Sequence, residues 1–525
     1  MMKLWRQRGP EDTTATNMPV LVNWQENIFL AAIISLSLFL EVRAASLRFL
    51  WFDEFSTWTV AAAPTIRGFF RALSADGNPP LYYLLAWVCL HLRLPVEIAL
   101  RLPSIVAINI AALLVYLFVR RNTGSIYAIL AMSIFLGSSF AHNYTLEARS
   151  YALLLCFTSA AICCWQSAAH GMNRRLALAG ITASMAGAIF THHYGVIYVT
   201  LPLLAGESVL TWERRRIDFP VFAAMLAGAV SLIITIPPML HGQAALLKAI
   251  KLSPVFWARP SLWSLLMYHH TLPQPMPILI LAAGTLGAFL RFVVFTKNIR
   301  SGKKTEPTSR VRIEDIAAGL ALVLVLPIIL LVTKFGTGYF MARYAIGSTL
   351  GVALVSGLLL SRWSERLPRI EDFVPAIIIY CFSISLLGFW QGGQYQHITG
   401  VQSDPVFLSA PVQVPIVIAD AVIFWPTWWY SDPGVRSRLH YLSDLSYALQ
   451  QPDFIPEYTL ILEQPYGAPK LDNYGDFVAS HREFLLYCSG MPRIEWVKTR
   501  LSNEGWQLTP IAGSGSNVLY RVDRL

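Results

Sequence analysis

Two carboxylates stand side by side in Trp51-Phe52-Asp53-Glu54-Phe55-Ser56-Thr57-Trp58, directly after a long apolar run over about 25–47. A paired acid at the mouth of a membrane-crossing segment can take a proton or hold a metal, because the site is partly dry yet still tolerates charge. A solvated loop end would look the same, and the residues alone weigh both readings evenly. Comparable groups recur along the chain. Glu147 and Arg149 flank a helix start in His142-Asn143-Tyr144-Thr145-Leu146-Glu147-Ala148-Arg149-Ser150-Tyr151, where they either pair with each other or face a ligand. Thr191-His192-His193-Tyr194 sets two imidazoles at a segment end. Helical neighbours point roughly 100° apart, so at most one naturally faces a shared cleft. The stretch from Lys334 to Arg343 and Tyr344 brings cations to the start of another apolar segment, which suits a lipid phosphate and equally any anionic lipid.

These groups need a scaffold, and composition says which. Of 525 residues, 55% are hydrophobic and 14% charged, and the mean hydropathy is +0.50. A soluble globular chain is excluded; an α-helical polytopic membrane protein is expected. Apolar segments recur at about 25–47, 100–119, 126–141, 151–169, 176–191, 194–211, 219–240, 276–295, 313–332, 345–361 and 373–390. That predicts about eleven spans, or up to thirteen. Arg120-Arg121, Arg174-Arg175, Arg214-Arg215-Arg216, the run Lys297 to Arg312 and Arg362 with Arg366 and Arg369 orient them by the positive-inside rule. Residues 1–24 are then a cytoplasmic segment leading into a retained first helix, 25–390 the transmembrane domain, and 391–525 an extracytoplasmic domain. The segment Leu81 to Leu90, after Pro79-Pro80, is too short to span and breaks the parity, so it is expected as a juxtamembrane or re-entrant helix at the outer face.

The tail differs in charge and pattern. The whole chain carries +10, but residues 391–525 hold 9 basic and 13 acidic side chains. The basic excess therefore belongs to the membrane region and reports topology, not nucleic-acid binding. Pro415 to Ala419 and Tyr458 to Leu462 read as strands, Ile494 to Asn503 as a helix, and Trp506 to Val522 as a terminal hairpin, together a small α/β domain. The cluster Trp425-Pro426-Thr427-Trp428-Trp429-Tyr430 suits sugar or membrane contact, and core packing equally. Six cysteines show no metal spacing.

Acids, cations and aromatics on one side of a membrane suit the movement of a sugar from an anionic lipid carrier to a hydroxyl-bearing acceptor. A carboxylate takes the acceptor proton, cations hold the departing phosphate, and aromatic walls stack on sugar. A transporter or flippase of a lipid-linked sugar is the alternative, although few ionisable groups lie within the spans. A non-catalytic scaffold would be indifferent to these acids.

The order of motifs resembles the C-type superfamily of polyprenyl-phosphate-dependent glycosyltransferases, in particular the bacterial relatives of protein O-mannosyltransferases and of lipid A aminoarabinose transferases. The pieces are Asp53-Glu54; Asn78-Pro79-Pro80-Leu81-Tyr82-Tyr83; Arg101-Leu102-Pro103-Ser104; Glu147-Ala148-Arg149-Ser150-Tyr151; Thr191-His192-His193-Tyr194; and Arg343-Tyr344. Each is weak alone; the ordered set over roughly 25–361 is fairly specific. The resemblance implies an inverting transfer at the outer face of a bacterial inner membrane. The donor would be a polyprenyl-phosphate sugar and the acceptor a glycan, lipid or protein. It makes Asp53 the leading acid/base, with Glu54 in support and Glu147 as the second acid. Arg149, Tyr151, Arg343 and Tyr344 complete the matching motifs. The family often has His or Lys before the Pro-Pro where this chain has Asn78, so Arg101 or Lys334 would take more of the phosphate charge. No cofactor is demanded. A divalent metal, with His192 or His193 and Glu147, is compatible with the pattern but not required.

Overall fold

The computed structural model describes residues 24–253, 255–271, 311–364, 373–391 and 414–524. The chain is a helical membrane protein with a small C-terminal sheet domain. Among the described residues, seven helices are long and apolar enough to cross a membrane, or nine if two bent pairs each count as one span. Ten of the eleven expected apolar segments are helical; the eleventh, 276–295, lies outside the described residues.

Helix α1 (Trp24–Leu47) leads to two short helices, α2 (Phe52–Ala61) and α3 (Ile66–Asp76). The Trp51 N–H donates to the Glu54 carboxylate at 3.1 Å, closing the first turn of α2. Thr65 Oγ1 accepts from the Gly68 N–H to start α3, and Gly77, at φ +73°, ends it in the left-handed region where glycine carries no Cβ penalty. Helix α4 (Leu81–Leu90) is 10 residues long, too short to span. It packs on α2 and on the 25-residue α5 (Val96–Arg120).

Helices α6 (Ser125–Gly137) and α7 (Ser139–Thr145) meet at 63°. The extended Ser138 between them accepts from the Ala141 N–H, capping α7 and fixing the bend. Helices α8 (Tyr151–Ala169), α9 (Arg174–Thr191) and α10 (Gly195–Arg214) follow, with α8 packed on α5 and α9. The helices Ile313–Val323 and Val325–Phe335 form the second bent pair, at 42°. A 3-10 turn, Ala342–Ala345, precedes the helix Gly347–Ser364.

The C-terminal domain is a five-stranded mixed sheet in the order β2-β1-β5-β7-β6. Its strands are β1 (Ile416–Ile418), β2 (Leu439–His440), β5 (Glu483–Cys488), β6 (Gln507–Ser514) and β7 (Asn517–Asp523); β3 (Leu442–Ser443) pairs separately with β4 (Asp472–Asn473). The first strand, the helix near 494–503 and the terminal hairpin match expectation. One segment does not: Tyr458 to Leu462 is part of the helix Ile455–Glu463. Pro456 is set at its first turn, where a missing N–H costs nothing, and Glu457, Leu460 and Glu463 are buried at a spacing of three.

The tryptophan cluster is packing between the two regions. Trp425 stacks on Phe55 at 5.1 Å, and Trp429 meets both Phe55 and Trp58. The Tyr430 hydroxyl donates to Glu97 and accepts from the Leu50 N–H, each at 2.9 Å. The C-terminal domain is thereby seated on α2.

Candidate active site

Asp53 and Glu54 are both in the first turn of α2, yet helical geometry sends them to different partners. Glu54 is fully buried. It receives Nε and Nη2 of Arg101 at 2.7 and 2.6 Å, together with the N–H groups of Trp51 and Ala148. Arg101 gives its remaining hydrogen bonds to the carbonyls of Ala45, Arg48 and Phe49. The pair is a closed clamp joining the end of α1, the start of α2, α5 and the loop at 148. This corrects two expectations: Glu54 has no oxygen left to meet a substrate, and Arg101 has no donor left for a phosphate.

Asp53 is open. Its carboxylate pairs with Arg343 Nη1, and both side chains keep about a fifth of their surface accessible (19% and 20%). The Asp53 backbone carbonyl accepts from Arg149 Nη1 at 3.1 Å. Burial pushes the Asp53 carboxyl up, but Arg343 and Arg149 outweigh it and hold it below the usual carboxylate range. Arg343 Nε is buried without a hydrogen-bond partner among the described residues. The guanidinium thus carries a donor toward which an anion could turn.

Glu147 lies in the turn before α8. Burial, opposed by Arg48 and reinforced by Glu54 and Asp53, raises its carboxyl to about 7. Its backbone carbonyl is fixed by Ser104 Oγ at 2.7 Å, and Ser104 in turn meets the Tyr82 hydroxyl at 2.8 Å. Two carboxyls near one another are therefore driven apart, Asp53 toward the ionised form and Glu147 toward the neutral one.

Aromatic rings line the same place. Tyr151, at the start of α8, lies 4.8 Å from Tyr144 and 5.3 Å from His192. His192 lies 6.2 Å from Tyr344, which is tied through its carbonyl to the Tyr198 hydroxyl. His192 Nδ1 accepts from the Tyr194 N–H, while His193 turns to the Gly77 carbonyl at 3.2 Å. The histidines lie between α9 and α10, outside either helix, and take different partners; no group of three or more His, Cys, Asp or Glu side chains is placed to hold a metal ion among the described residues.

Asn78 donates to Asp76 Oδ2 at 2.7 Å and to the Tyr83 hydroxyl at 3.3 Å, and Tyr83 also bonds Asp76. Lys334 is exposed at the end of its helix, and no described contact brings it to this cluster. The structure thus gathers Asp53, Glu147, Arg149, Tyr151, His192, Arg343 and Tyr344, and leaves Lys334 apart. Asp76 was missed although Asp76-Gly77-Asn78 adjoins a chosen motif. Glu463, whose charged neighbours include Asp76, Arg149 and Asp53, was missed because its segment reads as a strand.

The fold and part of the sequence have known counterparts. Residues 77–241 match the family of dolichyl-phosphate-mannose-protein mannosyltransferases. The apo structure of ArnT from Cupriavidus metallidurans superposes with a TM-score of 0.57 at 14% identity, covering 95% of this chain and 98% of that one. The same protein bound to undecaprenyl phosphate gives 0.54 at 14% identity, covering 94% and 98%. No curated protein sequence matches the chain significantly. The resemblance read from the ordered motifs is borne out, and the fold is that of ArnT.

Proposed function

We propose that this chain transfers a sugar from a polyprenyl-phosphate donor to a hydroxyl-bearing acceptor at the outer face of a bacterial inner membrane, with inversion at the anomeric carbon. The family match and the shared fold support a glycosyltransferase using lipid-phosphate donors, and ArnT itself was captured with undecaprenyl phosphate. The observation that carries the reading is the open Asp53–Arg343 pair with its spare Nε–H. On this reading the N-terminus is cytoplasmic and the C-terminal domain extracytoplasmic.

The step is a single displacement. The acceptor oxygen forms a bond to the anomeric carbon as the bond from that carbon to the phosphate oxygen breaks. The acceptor proton passes to Asp53, and the electron pair of the broken bond leaves with polyprenyl phosphate, whose charge goes from about −1 to about −2. Arg343 meets that growing charge. A phosphodiester meets Arg343 at the fifth of its side chain left accessible, and the unpaired Nε–H becomes a further donor as the guanidinium turns toward it. Once it does, the guanidinium is shared, and the carboxylate it had held ionised becomes more basic. Donor binding thus primes the base. Glu147, with its carboxyl near 7, serves in its protonated form as a hydrogen-bond donor on the phosphate side. Tyr151, His192 and Tyr344 wall the sugar. Glu54 and Arg101 hold the walls in place.

The test is turnover by the purified full-length chain given undecaprenyl-phosphoryl sugars and a cell-envelope extract as acceptor. Release of undecaprenyl phosphate is expected. Movement of the intact lipid-linked sugar across a vesicle membrane without cleavage would establish a flippase instead.

A further inference from the structure

The helix Ile455–Glu463 carries two buried glutamates with opposite fates. Glu457 faces the interior of the C-terminal domain and is fully engaged. Its oxygens accept from the Tyr441 hydroxyl, Ser443 Oγ, the Asp444 N–H and Trp496 Nε1, at 2.7 to 3.1 Å. Glu463, six residues later, faces the membrane domain. It is only 4% exposed, Ser56 of α2 lies beside its carboxyl, and Oε2 is buried with no hydrogen-bond partner among the described residues. Its charged neighbours are Asp76 on α3, Arg149 and Asp53, all groups of the cleft.

The placement is built. The helix packs on α3, and the chain beyond it turns at Gly467, φ +114°, where a Cβ would stand 3.2 Å from the Trp58 ring. Trp429 and Trp425 brace the same face against Trp58 and Phe55. A buried carboxyl oxygen left without a partner destabilises a fold by roughly 1–3 kcal/mol, and a purely structural position would be better filled by an apolar side chain. An orphaned, buried oxygen held on a packed helix beside Asp76, Arg149 and Asp53 is instead what a ligand contact looks like before the ligand arrives.

We infer that Glu463 is a substrate-hydroxyl ligand that the C-terminal domain supplies to the cleft. Its chemistry takes a hydroxyl, either of the transferred sugar or of the acceptor. Burial, with Asp76 adding to it, raises the Glu463 carboxyl to about 8. At neutral pH it therefore donates a hydrogen bond and adds no further negative charge beside Asp53 and Asp76. The C-terminal domain is then part of the substrate site, and Asp53 works beneath a residue from the other region.

This inference rests on the transferase reading, and the experiment separates the two. Wild type, Glu463→Leu and Glu463→Gln are purified as full chains. Each is titrated with undecaprenyl-phosphoryl hexose and with bare undecaprenyl phosphate by native mass spectrometry, and then with cell-envelope extract in the turnover assay. Glu463→Leu is expected to weaken one arm by about tenfold or more while keeping its melting temperature, and Glu463→Gln to restore most of the loss. Weaker binding of the sugar-bearing lipid alone assigns the donor sugar; a higher half-saturation for the extract alone assigns the acceptor. The inference is overturned if folded Glu463→Leu matches wild type in every arm. It is equally overturned if both variants lose activity only in step with a lowered melting temperature, which marks a packing residue. A wild-type chain that releases no undecaprenyl phosphate sinks the transferase reading; a wild type that turns over beside an unaffected Glu463→Leu sinks only this one.

Discussion

Two ion pairs begin at neighbouring residues of one helix and end in different chemistry. Glu54–Arg101 is fully buried, and both partners have their hydrogen bonds occupied by each other and by five backbone groups. Asp53–Arg343 keeps about a fifth of each side chain accessible and leaves a guanidinium N–H over. Each is a carboxylate–arginine pair, and the formal charge is the same. What differs is the spare capacity. A pair that satisfies itself completely can only hold elements together, whereas a pair with an unused donor can accept a new anion and change its own proton affinity as it does so. The closed pair fixes the position of α2, so the open pair depends on it for geometry.

The largest expected effect lies on the open side. Asp53→Asn keeps a hydrogen-bonding group beside Arg343 while removing the base, so turnover should fall about 10²- to 10⁴-fold with the melting temperature nearly unchanged. The closed side should invert that pattern. Arg101→Leu strands the Glu54 carboxylate in a dry site, a loss of about 3–5 kcal/mol that should appear as a collapsed melting temperature and poor recovery from detergent. If Arg101→Leu instead folded normally and only lost donor affinity, the division between a structural and a reactive pair would fail. Arg343→Lys is the intermediate case. It retains the charge but loses the planar fork, so donor half-saturation should rise about 10- to 100-fold while the fold is kept.

How much of this could be read in the chain depends on how local each feature is. The ten apolar runs within the described residues are all helical, because length and composition suffice to mark an apolar helix. The bend at Ser138 did not show, since a small polar residue inside an apolar run looks like any other until its side chain caps the next helix. Asp53 and Glu147 stood out by type and setting. The separate fates of Asp53 and Glu54 did not, because the partners that decide them lie 290 and 47 residues away. Arg101 was read as a phosphate ligand for the same reason: a buried arginine looks alike in sequence whether its donors are used or free. Glu463 was hidden by a secondary-structure misreading. Tyr458-Thr459-Leu460-Ile461-Leu462 is short and apolar enough for a strand, and reading it so removes the spacing of three that puts residues 457, 460 and 463 on buried faces.

The finest test of the open pair is the pH dependence of its neighbour. Glu147 has its carboxyl raised to about 7, so it is mostly protonated below that pH and mostly ionised above it, while Asp53, held low by Arg343 and Arg149, stays ionised across the neutral range. If Glu147 works as a hydrogen-bond donor, kcat/KM should be level below about pH 7. Above that it should fall, by no more than about tenfold per pH unit. Glu147→Gln keeps a donor and removes the titration. It should retain turnover within about tenfold of wild type and flatten the alkaline fall. The opposite profile, with activity lost as pH drops through 7 and nearly abolished by Glu147→Gln, would make Glu147 the base. Asp53 would then be left as the group that holds Arg343 until the donor arrives. The two carboxyls would exchange roles, and the spare donor on Arg343 would still mark the place where the phosphate binds.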